Sequence, residues 1–293
     1  MATLFTPARS ATIALLFAVA ACIASATGQT QQPPEGQVKG TAWQHTKQSI
    51  AAAMANAWVA LPATATGGAA FNGKLADAPK TLPPGATKVP IVVFAHGSTG
   101  INDTIKAWQK WLADDVGVAS VTLDSMQLPD RLTYTSPVAK DVYERIHALR
   151  AQELASMVAA VRTLAWADPT RMIIAGTSEG AVSVARYRAA EGAPKEIARI
   201  LYSWSCESNY HVEAPRTAIP DNMPVLNVMS STDPYFSQSN AWVGNPSAKG
   251  HCADALKDNK TAEIVLLPQA PHALFNLPAA RGVTKAFLLQ VLS

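Results

Sequence analysis

The sequence predicts a mostly parallel, doubly wound α/β sheet with helices on both faces, and three observations carry that expectation. Continuous apolar runs recur at residues 90–95, 116–123, 172–175, 197–204, 225–229 and 262–267. Such runs suit strands buried on both faces rather than the alternation of a half-solvated sheet. Between them lie stretches with apolar residues at helical spacing, such as Ile105, Trp108, Trp111 and Leu112, or Val142, Ile146, Leu149, Leu154, Val158 and Val161. With 293 residues, 48% hydrophobic and 15% charged, the chain can bury the core of one large domain.

Taken in order, residues 1–26 read as a secretory signal. Arg9 gives the positive start, residues 11–23 are apolar, and Ala24-Ser25-Ala26 offers a small-residue cleavage site. The run is too short for a membrane span. A second reading competes here: Val19-Ala20-Ala21-Cys22 resembles a bacterial lipoprotein signal ending at residue 21, with Cys22 lipidated. Either route exports the chain, making it secreted or periplasmic, or an outer-membrane lipoprotein in the second case. Residues 27–60 are expected to form a polar leader and an Ala-rich helix over 43–59, and residues 61–293 the catalytic domain, beginning with loops and one or two short edge strands.

From residue 90 the alternation becomes regular. A strand at 90–95, a helix at 104–115 and a strand at 116–123 make a βαβ unit. One long or broken helix covers 139–166, and the strand at 172–175 leads into a helix at 181–190. Strands at 197–204 and 225–229 follow, then an irregular excursion at 234–259, a strand at 262–267 and a closing helix at 283–292. Export puts Cys206 and Cys252 in an oxidising compartment, where a disulfide between them is expected. The net charge of +3 comes from scattered Lys and Arg, so no electrostatic footprint for nucleic acid is predicted.

The chemistry centres on Gly176-Thr177-Ser178-Glu179-Gly180, which sits between a strand and a helix, as a nucleophile elbow requires. In a parallel sheet the ligand crevice lies beyond the carboxyl ends of the strands. His96-Gly97-Ser98, Asp124, Ser178, Ser205, Asp233 and His272 all follow strand ends, so they should gather on one rim. A serine hydroxyl needs a base to take its proton, and the base needs a carboxylate to orient it. Ser178, Asp233 and His272 supply nucleophile, acid and base in the chain order expected of such a sheet. Asp124 is the reserve acid. Among the other histidines, His45 and His147 lie on helical stretches, whereas His211 and His251 sit in irregular excursions.

With these residues in view, the chain resembles the α/β-hydrolase superfamily and, within it, the dienelactone hydrolase-like branch. His96-Gly97-Ser98, Asp124-Ser125 with Arg131, the Gly176-to-Gly180 elbow, Asp233 and Pro271-His272 carry the resemblance, which covers roughly residues 89–292. Dienelactone hydrolase itself uses a cysteine nucleophile where this chain has Ser178, so the resemblance implies ester rather than lactone hydrolysis. It also implies an oxyanion hole from the backbone N–H groups of Ser98 and Glu179. Arg131 or Arg150 could neutralise the Glu179 carboxylate. His96, Trp204 and Tyr235 are candidates for substrate contact. No metal or organic cofactor is expected, because neither a ligand spacing such as H-E-x-x-H nor a phosphate loop is present. The expected partner is a small-molecule or polymeric ester. A peptidase or amidase of the same fold, and a non-catalytic binding member, are the competing expectations.

Overall fold

The computed structural model describes residues 35–293 apart from Pro194 and Arg216. The export signals expected at residues 1–26, and the leader up to residue 34, lie outside the described residues. Ten strands and six α-helices follow in chain order: β1 (Val38–Lys39), α1 (Lys47–Ala55), β2 (Trp58–Leu61), α2 (Ala63–Thr66), β3 (Phe71–Lys74), β4 (Val89–Ala95), α3 (Asp103–Trp111), β5 (Ala119–Thr122), β6 (Thr133–Tyr134), α4 (Lys140–Val161), β7 (Ala167–Thr177), α5 (Glu179–Arg186), β8 (Ala198–Tyr202), β9 (Val225–Ser230), β10 (Ala262–Leu267) and α6 (Pro278–Leu292). Eight strands form one sheet in the order β10-β9-β8-β7-β4-β5-β2-β3, while β1 and β6 pair separately. From β10 to β5 every pairing is parallel, and only the edge hairpin of β2 and β3 runs antiparallel to its neighbours.

The apolar runs behave as their composition demands. Every residue of β5, β8 and β9 is buried, because helices cover both faces. On one face α4 supplies Leu154, Met157, Val158 and Val161, and α5 supplies Val182 and Val184. On the other, Ile105 and Trp108 of α3 pack with Phe287 and Leu288 of α6. The chain leaves β4 for β5 on one side and returns to β7 on the other. The carboxyl ends of β4 and β7 therefore diverge at the switch point where such sheets bind ligands.

Of the boundaries that differ from expectation, three have identifiable reasons. The helix expected over 43–59 is shorter, because Thr46 and Ser49 form a capping box at its start and it ends at Ala55. Trp58–Leu61 is instead an interior strand between β5 and β3, so the division expected between residues 60 and 61 falls inside the sheet. Helix α5 stops at Arg186 because the buried Arg199 guanidinium donates to the carbonyls of Val184, Ala185 and Tyr187, satisfying groups that a further turn would have occupied. The expected disulfide is present between Cys206 and Cys252. Among the described residues no helix is long and apolar enough to cross a membrane.

Candidate active site

Ser178 stands at the end of β7 with φ 54° and ψ −122°, a conformation a side-chain-bearing residue adopts only when its surroundings enforce it. The two elbow glycines are part of that enforcement. A Cβ on Gly176 would lie 2.7 Å from the Gly180 carbonyl oxygen, and one on Gly180 would lie 2.2 Å from the Ala95 carbonyl oxygen. The turn closes only because both side chains are missing. The Ser178 N–H donates to Tyr202 O at 2.9 Å, which anchors the elbow to β8.

Asp233 and His272 come from the ends of β9 and the loop after β10. The carboxylate is fully buried. Its Oδ1 accepts from the Tyr235 and Phe236 N–H groups at 2.9 and 3.0 Å, and Oδ2 pairs with His272 Nδ1 at 2.8 Å. Since the carboxylate accepts, Nδ1 carries a proton, and Nε2 is the nitrogen that a neutral ring would leave to take one. The imidazole is 21% exposed, and its backbone carbonyl accepts from Ser203 Oγ. Ser178, His272, Ser98 and Tyr235 line one cleft of about 560 Å³. This arrangement has the parts for nucleophilic chemistry: a strained hydroxyl, an oriented base and a buried carboxylate in one cavity.

Two of the three residues expected to touch substrate do not line the cleft. His96 is fully buried; its Nε2 accepts from Ser125 N at 3.0 Å and from Arg150 Nη1 at 3.1 Å. Its Nδ1 donates to Gly97 O at 2.6 Å. Burial first, then the Arg150 charge, hold the imidazole well below its ordinary pKa, and it stays neutral. Trp204 is 2% exposed and packs edge-on to Phe236, with ring centroids 5.1 Å apart. It stands behind the wall rather than in it. Tyr235 lines the cleft as expected. Asp124 does not meet His272: its carboxylate caps the short turn at Ser125–Gln127, accepting from Met126 N and the Gln127 amide.

Behind the elbow lies a buried polar chain. Arg131 Nη2 donates to Glu179 Oε1 at 2.9 Å, and Arg150 Nε lies 3.5 Å from the same oxygen, so both candidate arginines neutralise the carboxylate. Arg131 also donates through Nε to Ser125 Oγ, which donates to Glu153 Oε1. Glu153 in turn pairs with Arg150 at 2.8 Å and His45 at 2.9 Å. Burial alone would raise the Glu153 pKa, but Arg150, His45 and Ser125 pull it down to about 2.

The cleft also holds residues that sequence reasoning gave no specific place. Tyr134 lines it from β6 and Tyr210 from the loop after β8; no strand-end rule points to either. His211, left open between pocket and surface, is 2% exposed and forms part of the wall. Burial, followed by the neighbouring His147, keeps it well below the usual imidazole pKa. Among the described residues no cluster of His, Cys, Asp or Glu is arranged to hold a metal ion.

No protein-family model matches the chain, and no curated protein matches its sequence. Solved structures do. A Klebsiella pneumoniae subsp. pneumoniae MGH 78578 protein, provisionally assigned as a dienelactone hydrolase, is similar over 81% of this chain and 99% of its own, with 19% identity and a TM-score of 0.50. Est1E from Butyrivibrio proteoclasticus is similar over 80% of this chain and 93% of its own, at 16% identity and a TM-score of 0.46. The dienelactone hydrolase-like promiscuous phosphotriesterase P91, from metagenomic libraries, is similar over 72% and 90%, at 17% identity and a TM-score of 0.49. At these identities the likeness is one of architecture.

Proposed function

The α/β-hydrolase fold of this chain is the frame on which we propose a serine esterase, with Ser178 as nucleophile, His272 as base and Asp233 as the acid that orients it. The observation that carries the reading is the Asp233–His272 pair at 2.8 Å, opening on the same cleft as a serine held in a strained elbow. In the first half-reaction Ser178 Oγ attacks the ester carbonyl carbon while His272 Nε2 takes the hydroxyl proton. The carbonyl oxygen gains the negative charge and is stabilised by the N–H groups of Ser98 and Glu179, each worth about 3 kcal/mol in the transition state. Collapse expels the alkoxide, which receives the proton from His272, and leaves an acyl group on Ser178. Water then repeats the sequence, releasing the acid and restoring the hydroxyl.

Asp233 does not itself take the proton. Its two oxygens are held by backbone N–H groups and by Nδ1, so it fixes the tautomer and stabilises the imidazolium as it forms. His96 acts one step back. Gly97 O and Ser98 N belong to one planar peptide, and the His96 Nδ1 bond to that oxygen sets the direction in which the Ser98 N–H points. His96 is thus a positioning residue rather than a substrate contact. The Cys206–Cys252 disulfide supports an exported location, since such bonds persist in oxidising compartments.

The test is mass spectrometry of the purified protein after treatment with a fluorophosphonate, with hydrolysis of p-nitrophenyl esters and the matching anilides. A single adduct on Ser178 with ester turnover is the expected result. Faster anilide cleavage would assign an amidase instead, and an unmodified Ser178 with no turnover would refute both.

A further inference from the structure

We propose that the acyl side of this cleft is built for an aromatic carboxylic acid, whose flat ring seats against Tyr134, His211, Tyr210 and Trp242. The proposal rests on the serine-esterase reading above. Aromatic residues make up 7% of the chain, yet three of its six tyrosines line this one cleft. Tyr210 meets Trp242 edge-on at 4.7 Å and His211 at 5.8 Å, and His211 lies 6.3 Å from Tyr134, all between ring centroids. The rings form a continuous wall. Ile105 is the one branched aliphatic side chain in the lining, so a long alkyl chain would find few partners of its own kind. A flat ring would meet edges and faces at the 4.5–7 Å separations that aromatic pairs prefer.

The position of the base decides which half of the ester the wall receives. The leaving alkoxide must take its proton from His272, whose ring is contacted edge-on by Tyr235 at 4.6 Å. On this proposal the alcohol lies on the Tyr235 side of His272 and the acyl group along the wall that runs from Phe236, 5.9 Å from the His272 ring, through His211 to Tyr134. At that end the wall is polar without being charged. Burial, then Glu179, raise the Tyr134 hydroxyl well above its usual pKa, while burial keeps His211 neutral. The two meet through Tyr134 Oη and His211 Nε2 at 3.3 Å. Neutral hydrogen-bonding groups at the end of a ring-lined slot suit an aromatic acid with a neutral polar substituent, such as a hydroxyl.

Two matched ester pairs test this. Methyl phenylacetate and methyl cyclohexylacetate share a skeleton and differ only in whether the acid ring is flat. Benzyl acetate and cyclohexylmethyl acetate make the same comparison on the alcohol. Working sites are first counted by fluorophosphonate labelling of Ser178. On labelled-competent enzyme, kcat/KM for the phenyl acid is expected to exceed that for its cyclohexyl partner by about tenfold, from the added worth of aromatic contacts, with little preference in the alcohol pair. Trp242→Leu, checked for folding by circular dichroism, is expected to reduce the acid-side ratio at least threefold. A ratio near one in competent enzyme, a preference confined to the alcohol pair, or a ratio unmoved by Trp242→Leu would each overturn the proposal with the esterase reading intact. Absence of labelling would remove both.

Discussion

Replacing His96 by glutamine should slow acyl transfer without loosening the fold, and replacing it by asparagine should do the reverse. The glutamine amide reaches roughly to the Nε2 position, where its oxygen can accept from Ser125 N and Arg150 Nη1 as the imidazole does at 3.0 and 3.1 Å. What it abandons is the 2.6 Å bond from Nδ1 to Gly97 O. That carbonyl then keeps only Gly100 N at 3.3 Å, and the peptide carrying the Ser98 N–H is free to tilt. A complete loss of one oxyanion donor costs about 10²–10³ in kcat; a tilt should forfeit part of this, so a fall of about 10–100-fold is expected. Stability should change by no more than about 1.5 kcal/mol, the net worth of one hydrogen bond. The asparagine amide sits near Nδ1 and can keep the Gly97 bond, but it leaves the buried Ser125 N–H without its acceptor, at about 1–3 kcal/mol, while Arg150 Nη1 keeps only Glu153 Oε2 at 2.8 Å. The assay is kcat on a p-nitrophenyl ester, normalised to fluorophosphonate-titrated sites, together with urea unfolding. If the glutamine variant turned over at the wild-type rate, or if both variants fell alike in rate and stability, His96 would be a packing residue and the reasoning would fail.

Reduction of the Cys206–Cys252 bond, or the double serine variant, should cost about 4 kcal/mol of stability by loop-closure entropy for a sequence separation of 46; a midpoint of urea unfolding unmoved by reductant would contradict this. Gly180→Ala should fail to give folded, labelled enzyme, because its Cβ would sit 2.2 Å from Ala95 O and 2.5 Å from His96 O; recovery of normal labelling would show that the elbow can open. Arg131→Met should cost about 3–5 kcal/mol by stranding part of the Glu179 charge, read as a shift in unfolding midpoint, and a wild-type midpoint would count against it. Stability should also fall on acidification. His96, His147 and His211 are held below the usual 6.5 chiefly by burial, so below that pH the unfolded chain binds protons that the folded one refuses. Each contributes up to about 1.4 kcal/mol per pH unit, and the loss should deepen below about pH 4.5 as Glu153, down at about 2 when folded, becomes protonated in the unfolded chain. Urea unfolding at pH 7.5, 6 and 5 checks the sign, and greater stability at pH 5 would refute it.

How much of this was legible in the sequence depended on how local each constraint is. The elbow could be read because Gly176 and Gly180 answer to backbone atoms within a few residues or across one strand pair. Asp233 and His272 could be placed because a parallel sheet gathers its strand ends on one rim, whatever the loops do. The same rule located His96 and Trp204 at that rim but could not say which way each side chain turns. His96 turns inward because Ser125 N and Arg150 offer it partners there, and those come from residues 29 and 54 positions away. Tyr134 was beyond reach for a related reason. It sits in an irregular loop that is given its strand conformation by residues nearly a hundred positions earlier, where Val38 pairs with Tyr134 and Lys39 with Thr133.

That last contact shows how the cleft is divided between the sheet and its attachments. The strand ends hold Ser98, Ser178, Asp233 and His272, and would do so with other loops in place. Tyr134, Tyr210 and Trp242 of the cleft lining come from segments outside the main sheet. The Tyr134 side of this lining is strapped from the N-terminal segment: Gly36 N donates to Pro137 O at 2.7 Å, Thr135 N to Gln37 O at 2.8 Å, and Leu132 N to Ala42 O at 2.7 Å. Its Tyr210 and Trp242 side is stitched by the disulfide, by Tyr210 N donating to Val243 O at 3.1 Å, and by the Asn245 amide donating to Ser208 O at 2.8 Å. Ordering an irregular loop costs about 1–2 kcal/mol per residue in backbone entropy, which the burial of Tyr210, Val212 and Phe236 in the core offsets in part. The strap and the disulfide meet the cost by other means, one with backbone hydrogen bonds and one by constraining the unfolded chain. On the esterase reading proposed above, loosening either tether should change the ratio of kcat/KM values between esters before it lowers fluorophosphonate labelling of Ser178, and equal losses in both would contradict this.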